Sequence, residues 1–228
     1  MVTEAQLEEL LSDCPTLYHM AEDGSWPSIR ERGLLSTTAL LDLYGIKGEA
    51  RVEIEERRRS TGIALERPGL PPAMIRDQLP MDDVGLRRCL PAHLTPPDWY
   101  RFLNQKVFFW LTRDRLIKLL KAGTYRDRPH TVIEVTTRKL VAAHRERIWF
   151  CPMNSGCTKP YPHPRDEHTF ERIPDYPYSC WRKRRQRCRR VVELAIDYSV
   201  PDIADFVTRD VGDFAGCGLT LVNPWDAA

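Results

Sequence analysis

Five short runs of strand-forming residues, each set off from the next by a helical pattern or a turn, limit what this chain can fold into. They are residues 16–20 (TLYHM), 107–112 (VFFWLT), 130–137 (HTVIEVTT), 148–153 (IWFCPM) and 189–196 (RRVVELAI). Each is too short to cross a membrane and is rich in Val, Ile, Phe, Tyr, Trp or Thr, as strands are. Between them lie segments with helical periodicity and capping signals. Residues 4–12 carry Leu7, Leu10 and Leu11 on one face and stop at Pro15. WPSIRER (26–32) follows Ser25 as N-cap and ends at Gly33. Residues 38–60, DDVGLRRCL, TPPDWYRFLNQK, RDRLIKLLKAG, RKLVAAHRER and VPDIADFVTRD also read as helical. The strand-like pieces IALER and AMIRDQ sit in a proline-rich stretch over residues 61–97. The mixture predicts an α+β chain whose strands need not be parallel. A G-x-G-x-x-G turn and a P-loop are both absent, so a dinucleotide, if bound, is not held by a Rossmann turn.

A chain of 228 residues with 42% hydrophobic and 29% charged residues can bury its own core, and it is expected to form one domain over residues 1–228. The acidic N-terminal segment lacks the basic and apolar regions of a signal peptide, so a cytoplasmic location with no membrane association is expected. Cysteines at 14, 89, 151, 157, 180, 188 and 217 are odd in number and irregularly spaced, which predicts reduced thiols. Cys151, Cys157, His163 and His168 do not have the short paired spacing of structural zinc sites, so no metal is expected. Charge is uneven. The net +2 includes seven positive charges in residues 182–190 (RKRRQRCRR), so the remainder carries −5. Such a run attracts phosphate backbones, although a solvated arm or a helix end facing water has the same composition. The long loop before it, residues 152–179, is the kind of segment that is usually functional.

One carboxylate is unusual. Glu193 sits among Val191, Val192, Leu194 and Ile196, and alternation places it with Val191 and Ala195 on one face of the last strand. Burial there without a partner is costly, so Glu193 faces either a polar cleft or solvent. Glu134, in HTVIEVTT, is the rival candidate, for which an exposed strand position is the simpler account.

The segments LYHMAEDGSWPSIRERGLLS, VFFWLTR and VVELAI resemble, in that order, the three strand motifs of the ADP-ribosyltransferase superfamily in its diphtheria-toxin-like, H-Y-E branch. IWFCPMNSGCT and the order Trp181, basic run, Glu193, Val200–Pro201 are similar to the DarT-type DNA ADP-ribosyltransferases. The resemblance covers residues 16–37, 106–120, 130–158 and 181–204 and leaves 38–105 as an insertion. It implies two small, mainly antiparallel sheets with an NAD⁺ cleft between them, and transfer of ADP-ribose onto a base in nucleic acid. It also implies single-stranded DNA as acceptor, and an antitoxin as partner. Glu193 and Arg113 would be catalytic. His19, Met20, Phe109, Trp110 and Arg76 would hold NAD⁺, with Arg76 on the pyrophosphate. Asn154, Tyr178, Trp181, Arg184, Arg185 and Arg187 would face the acceptor. Phe109 stands where the family has a stacking Tyr, and the Pro-Met pair expected after Arg113 is missing. A protein or small-molecule acceptor, or a degenerate module that binds without catalysis, are the alternatives.

Overall fold

The computed structural model describes residues 2–208 and, as backbone, residues 219–221. Helix α1 (Glu4–Asp13) starts at a capping box in which the Thr3 side chain and Gln6 satisfy each other's backbone N–H. Strand β1 (Thr16–Glu22) leads to α2 (Trp26–Arg32) and the two-residue β2 (Leu34–Leu35). Gly33 between them has φ 84°, and a Cβ there would lie 2.5 Å from the Pro201 Cα, so only glycine fits this turn. The helical stretch expected over residues 38–60 is two helices, α3 (Thr37–Tyr44) and α4 (Gly48–Glu55), because Gly45 adopts the left-handed conformation that closes the first. Strands β3 (Ile63–Leu65) and β4 (Ala73–Ile75) pair only with each other, followed by α5 (Asp83–Arg87) and α6 (Pro96–Asn104).

The remaining elements are β5 (Lys106–Trp110), α7 (Arg113–Leu120), β6 (His130–Thr136), α8 (Thr137–His144) and β7 (Ile148–Cys151). They are followed by β8 (Glu171–Arg172), α9 (Tyr178–Arg184), β9 (Glu193–Asp197), β10 (Ser199–Val200) and β11 (Leu219–Leu221). The last expected helix is a single 3-10 turn, Ile203–Phe206, and residues 209–210 of that stretch lie outside the described residues, as does Cys217. Among the described residues no helix is long and apolar enough to cross a membrane.

The fold is α+β, built on a seven-stranded sheet in the order β11-β6-β1-β5-β9-β7-β8, antiparallel throughout except where β11 joins β6. The expectation of two separate small sheets is corrected by one pair of residues. β1 pairs with β6 at seven positions, but with β5 only at Tyr18↔Trp110. The sheet is therefore two halves joined at a single point. One face of both halves packs into a common core with α1 and α8, including Leu17, Phe109, Ile133, Phe150 and Leu194. The other face is covered by two separate clusters. Trp99, Tyr100 and Leu103 of α6 pack with Phe108, Cys151 and Ala195, while Leu116 and Leu120 of α7 pack with Tyr18, Met20 and Trp110. A joint this narrow, with its cover split in two, leaves a cleft at the β1–β5 junction.

Candidate functional site: a cleft at the strand junction

The cleft encloses about 380 Å³, within the range of small-ligand sites. Glu193, Asn154 and Ser155 line it, as do Arg76, Tyr125 and Asp77. Glu193, opposite Trp110 on β5 and Cys151 on β7, is only 4% exposed. Both carboxylate oxygens accept from the Ser155 N–H, each at 3.2 Å. Burial pushes the carboxyl up to about 7, against the lowering effect of the Ser155 hydrogen bonds and the Arg115 and Arg165 guanidiniums. It therefore exchanges its proton near neutral pH, as acid–base or charge-stabilising groups do. Alternation holds for Glu193 and Ala195, but Val191 precedes β9 and packs into the opposite core with Leu194 and Ile196.

His19 stands across the junction. Its Nδ1–H donates to the Phe108 carbonyl at 2.8 Å, so Nε2 carries the lone pair. Burial, reinforced by the charge of Arg76, holds the imidazole near 4, and it is neutral at pH 7. Arg76 reaches the Met20 and Ala21 carbonyls with Nη1 (3.4 and 3.3 Å) and lies 5.2 Å from the Tyr125 ring centroid. Its Nη2 is buried and has no hydrogen-bond partner among the described residues. Met20 contributes this carbonyl to the site while its side chain packs against the α7 cluster.

Phe109 borders the cleft but is 1% exposed and belongs to the core, with its ring 5.7 Å from His19. It has almost no ring face left for a ligand. Trp110, half-buried at the joint, is the aromatic of this strand that lies beside Glu193. Arg113 is exposed at the first turn of α7 and is not among the cleft-lining residues; its charge acts on Glu134 and Tyr18. On this helix the arginine that acts on Glu193 is Arg115, half-buried and with no side-chain hydrogen bond or ion pair among the described residues. Glu134 is not the exposed residue expected. It is half-buried opposite Tyr18, burial raises its carboxyl, and it does not line the cleft.

The acceptor-facing residues divide. Asn154 lines the cleft. Tyr178 does not face an acceptor; it is 1% exposed, and its hydroxyl accepts from Arg190 at 3.1 Å. Trp181 is partly buried against the core, with the Arg185 guanidinium 4.2 Å from its ring centroid. Arg185 also donates to the Arg189 carbonyl, and Arg187 lies 3.7 Å from Asp13 and 3.9 Å from Glu9. Arg184 is exposed and, among the described residues, its side chain has no such contact, as is also the case for Lys183 and Arg189 of the same run. The basic run starts as the exposed last turn of α9, a helix end facing water. The end of the run is anchored by Arg190, which pairs with Glu9 of α1. In the preceding loop the Cys151 and Cys157 thiols each donate to a carbonyl two residues on, and His168 pairs with Glu171 at 2.9 Å.

Segment 38–105 supplies much of the cleft wall. Buried Arg59 donates to the Arg76 and Ile54 carbonyls and to Asn104 Oδ1 (3.0, 2.7 and 3.0 Å), which ties α4, β4 and α6 together behind Arg76. Asp77 accepts from the Tyr125 hydroxyl at 2.7 Å. Arg59, Asp77, Ser155 and Arg165 carry no local sequence signal, since their partners are distant in the chain. Nothing in residues 113–115 distinguishes Arg115 from Arg113.

Fold and site thus define an α+β domain whose sheet opens at one strand pair into a cleft lined by a residue with a buried carboxyl and one with a buried guanidinium nitrogen. The chain belongs to DUF7002, a family of unknown function, whose family model matches residues 15–207 and so spans segment 38–105. No curated protein and no solved structure gives a significant match.

Proposed function

We propose that this chain is an NAD⁺-dependent ADP-ribosyltransferase of the H-Y-E type that modifies a base in nucleic acid. The observation that carries the reading is Glu193, a nearly inaccessible carboxyl in the cleft, held by a backbone N–H and able to ionise near neutral pH. Cleavage of the nicotinamide–ribose bond builds positive charge on the ribose, as in glycoside hydrolysis. An ionised Glu193 would stabilise that charge in a site of low polarity. His19 Nε2 would accept from a ribose hydroxyl. The unpartnered Nη2 of Arg76 fits a pyrophosphate oxygen, since a buried guanidinium N–H without a partner is costly unless an anion completes it. Trp110 would wall the nicotinamide in place of Phe109. Asn154, and Arg184 beyond the cleft, are the groups left for the acceptor.

A second reading within the class, transfer to a protein or small molecule, is favoured by the burial of Tyr178 and the partial burial of Trp181, which removes one and restricts another of the aromatics suited to stacking on bases. The experiment is incubation with labelled NAD⁺ and, separately, single-stranded DNA, RNA and lysate, with nicotinamide release and mass spectrometry as readouts. Nucleic-acid adducts that disappear in Glu193→Gln are expected. Adducts confined to protein would move the reading to the second acceptor class. Absence of nicotinamide release in every arm would overturn the enzyme reading.

A further inference from the structure

Arg165 is among the largest fully buried side chains of the described residues, at 2% exposure, and it sits in the proline-rich loop between β7 and β8. Burying a guanidinium normally demands a carboxylate partner, yet among the described residues Arg165 has no ion pair. Its contacts are carbonyls, a sulfur and the ring of Trp99, whose centroid lies 6.0 Å from the guanidinium carbon. Nη1 reaches Cys89 Sγ at 3.1 Å and the His163 carbonyl at 3.3 Å, and Nη2 reaches the carbonyls of Asn154, at 3.4 Å, and Cys157. The backbone N–H of Arg165 donates to the Cys89 carbonyl at 2.8 Å, which fixes the base of the side chain against the turn that follows α5. Nη2 thus spans the two ends of a turn, residues 154–157. That turn contains Ser155, whose N–H is held against both oxygens of Glu193.

We propose that Arg165 is a positioning residue for Glu193: by clamping the Asn154 and Cys157 carbonyls it presents the Ser155 N–H to the carboxylate, and its charge supplies counter-charge behind the turn. A purely structural loop anchor would be served by a neutral donor, whereas an uncompensated buried cation is accounted for by an acid that must ionise nearby. The charged and titratable groups around Glu193 are Cys151 on β7, Arg115 on α7 and Arg165, and of these Arg115 and Arg165 favour the ionised form while the Cys151 thiol is itself pushed up by burial and by Glu193. The functional consequence rests on Glu193 being the working carboxylate, but the test needs no substrate.

The test is NMR on the whole chain without NAD⁺, following the Glu193 carboxyl carbon and the Ser155 amide proton through a pH titration. In the wild type both should titrate together. In Arg165→Met, which keeps bulk but removes charge and donors, the Glu193 midpoint should rise by at least ~0.5 pH units, less than the 1–3 of a directly contacting charge, and the Ser155 amide should no longer follow it. Arg165→Lys keeps the charge but cannot span both carbonyls, so the midpoint should stay close to wild type while the Ser155 response weakens; it also carries the test if the Met variant does not fold. A folded Arg165→Met, or failing that Arg165→Lys, in which Ser155 tracks Glu193 as in the wild type overturns the proposal. If the titrations behave as expected and the wild type releases no nicotinamide, the positioning role stands and the enzyme reading fails.

Discussion

Replacing Glu193 with Gln tests the energetics and the chemistry of the cleft together. Burial holds the carboxyl at about 7 rather than its ordinary 4.5. Between those values the unfolded chain gives up the proton while the folded chain keeps it. The folded state then binds more protons, and stability falls as pH rises. The interval is about 2.5 pH units, and at ~1.4 kcal/mol per unit it costs the wild type about 3 kcal/mol once pH exceeds the folded value. Gln has no proton to lose. Its amide oxygen still accepts from Ser155, and the loss of the second acceptor costs about 1 kcal/mol at every pH. The stability gap between Glu193→Gln and wild type should therefore widen in favour of the variant by roughly 2–3 kcal/mol between pH 5 and pH 8. For a domain of this size that is a relative gain of about 4–12 °C in melting temperature. Urea or thermal denaturation across pH reads the gap directly. Nicotinamide release and transfer should fall at least ~100-fold in the same variant. Stability curves that stay parallel would show that the carboxyl is not held above its ordinary value. Full transfer by the variant would remove Glu193 from the chemistry.

Transfer by the wild type should increase as pH rises through about 7, because the ionised carboxylate is the working form, and a rate flat from pH 6 to 8 would contradict this. Arg76→Ala should raise KM for NAD⁺ by at least ~10-fold, the scale of one charged hydrogen bond, with a smaller effect on kcat; an unchanged KM would count against the pyrophosphate contact. Glu134→Gln should change transfer less than ~3-fold, since Glu134, paired with Tyr18 across the ladder, is not among the cleft-lining residues. Arg184→Gln should weaken nucleic-acid binding and lower its salt slope by about 1 without moving the melting temperature. Arg190→Gln should instead destabilise the fold by ~1–2 kcal/mol, because it leaves Glu9 and the Tyr178 hydroxyl without their shared donor.

The contrast between Arg184 and Arg190 shows where sequence reading ends. Helices and strands were legible because their signals are local. Gly33 and the Thr95–Asp98 capping box sit within a few residues of the helices they bound, whereas Gly45 is just as local and yet residues 38–60 read as one stretch that its left-handed conformation divides. Glu193 was legible because a carboxylate in an apolar strand is a conflict that only a cleft or solvent resolves. The rest depends on long-range pairing. Arg190 meets Glu9 across nearly the whole chain, so seven similar charges in nine residues cannot be sorted by inspection into anchors and free cations. Tyr178 reads as a stacking aromatic by composition, and becomes a core residue only once α9 lies over the sheet. The same holds for the cleft. No local pattern states that β1 and β5 share one residue pair, yet that joint turns one continuous sheet into two working halves. With full pairing the Phe108 carbonyl would join the β-ladder, and His19, held to it by Nδ1, would have no opening to face. The backbone pairs missing from the ladder beyond Tyr18 and Trp110 are therefore the structural cost of the site, and the hydrogen bonds of His19 and Arg76 to Phe108, Met20 and Ala21 partly replace them.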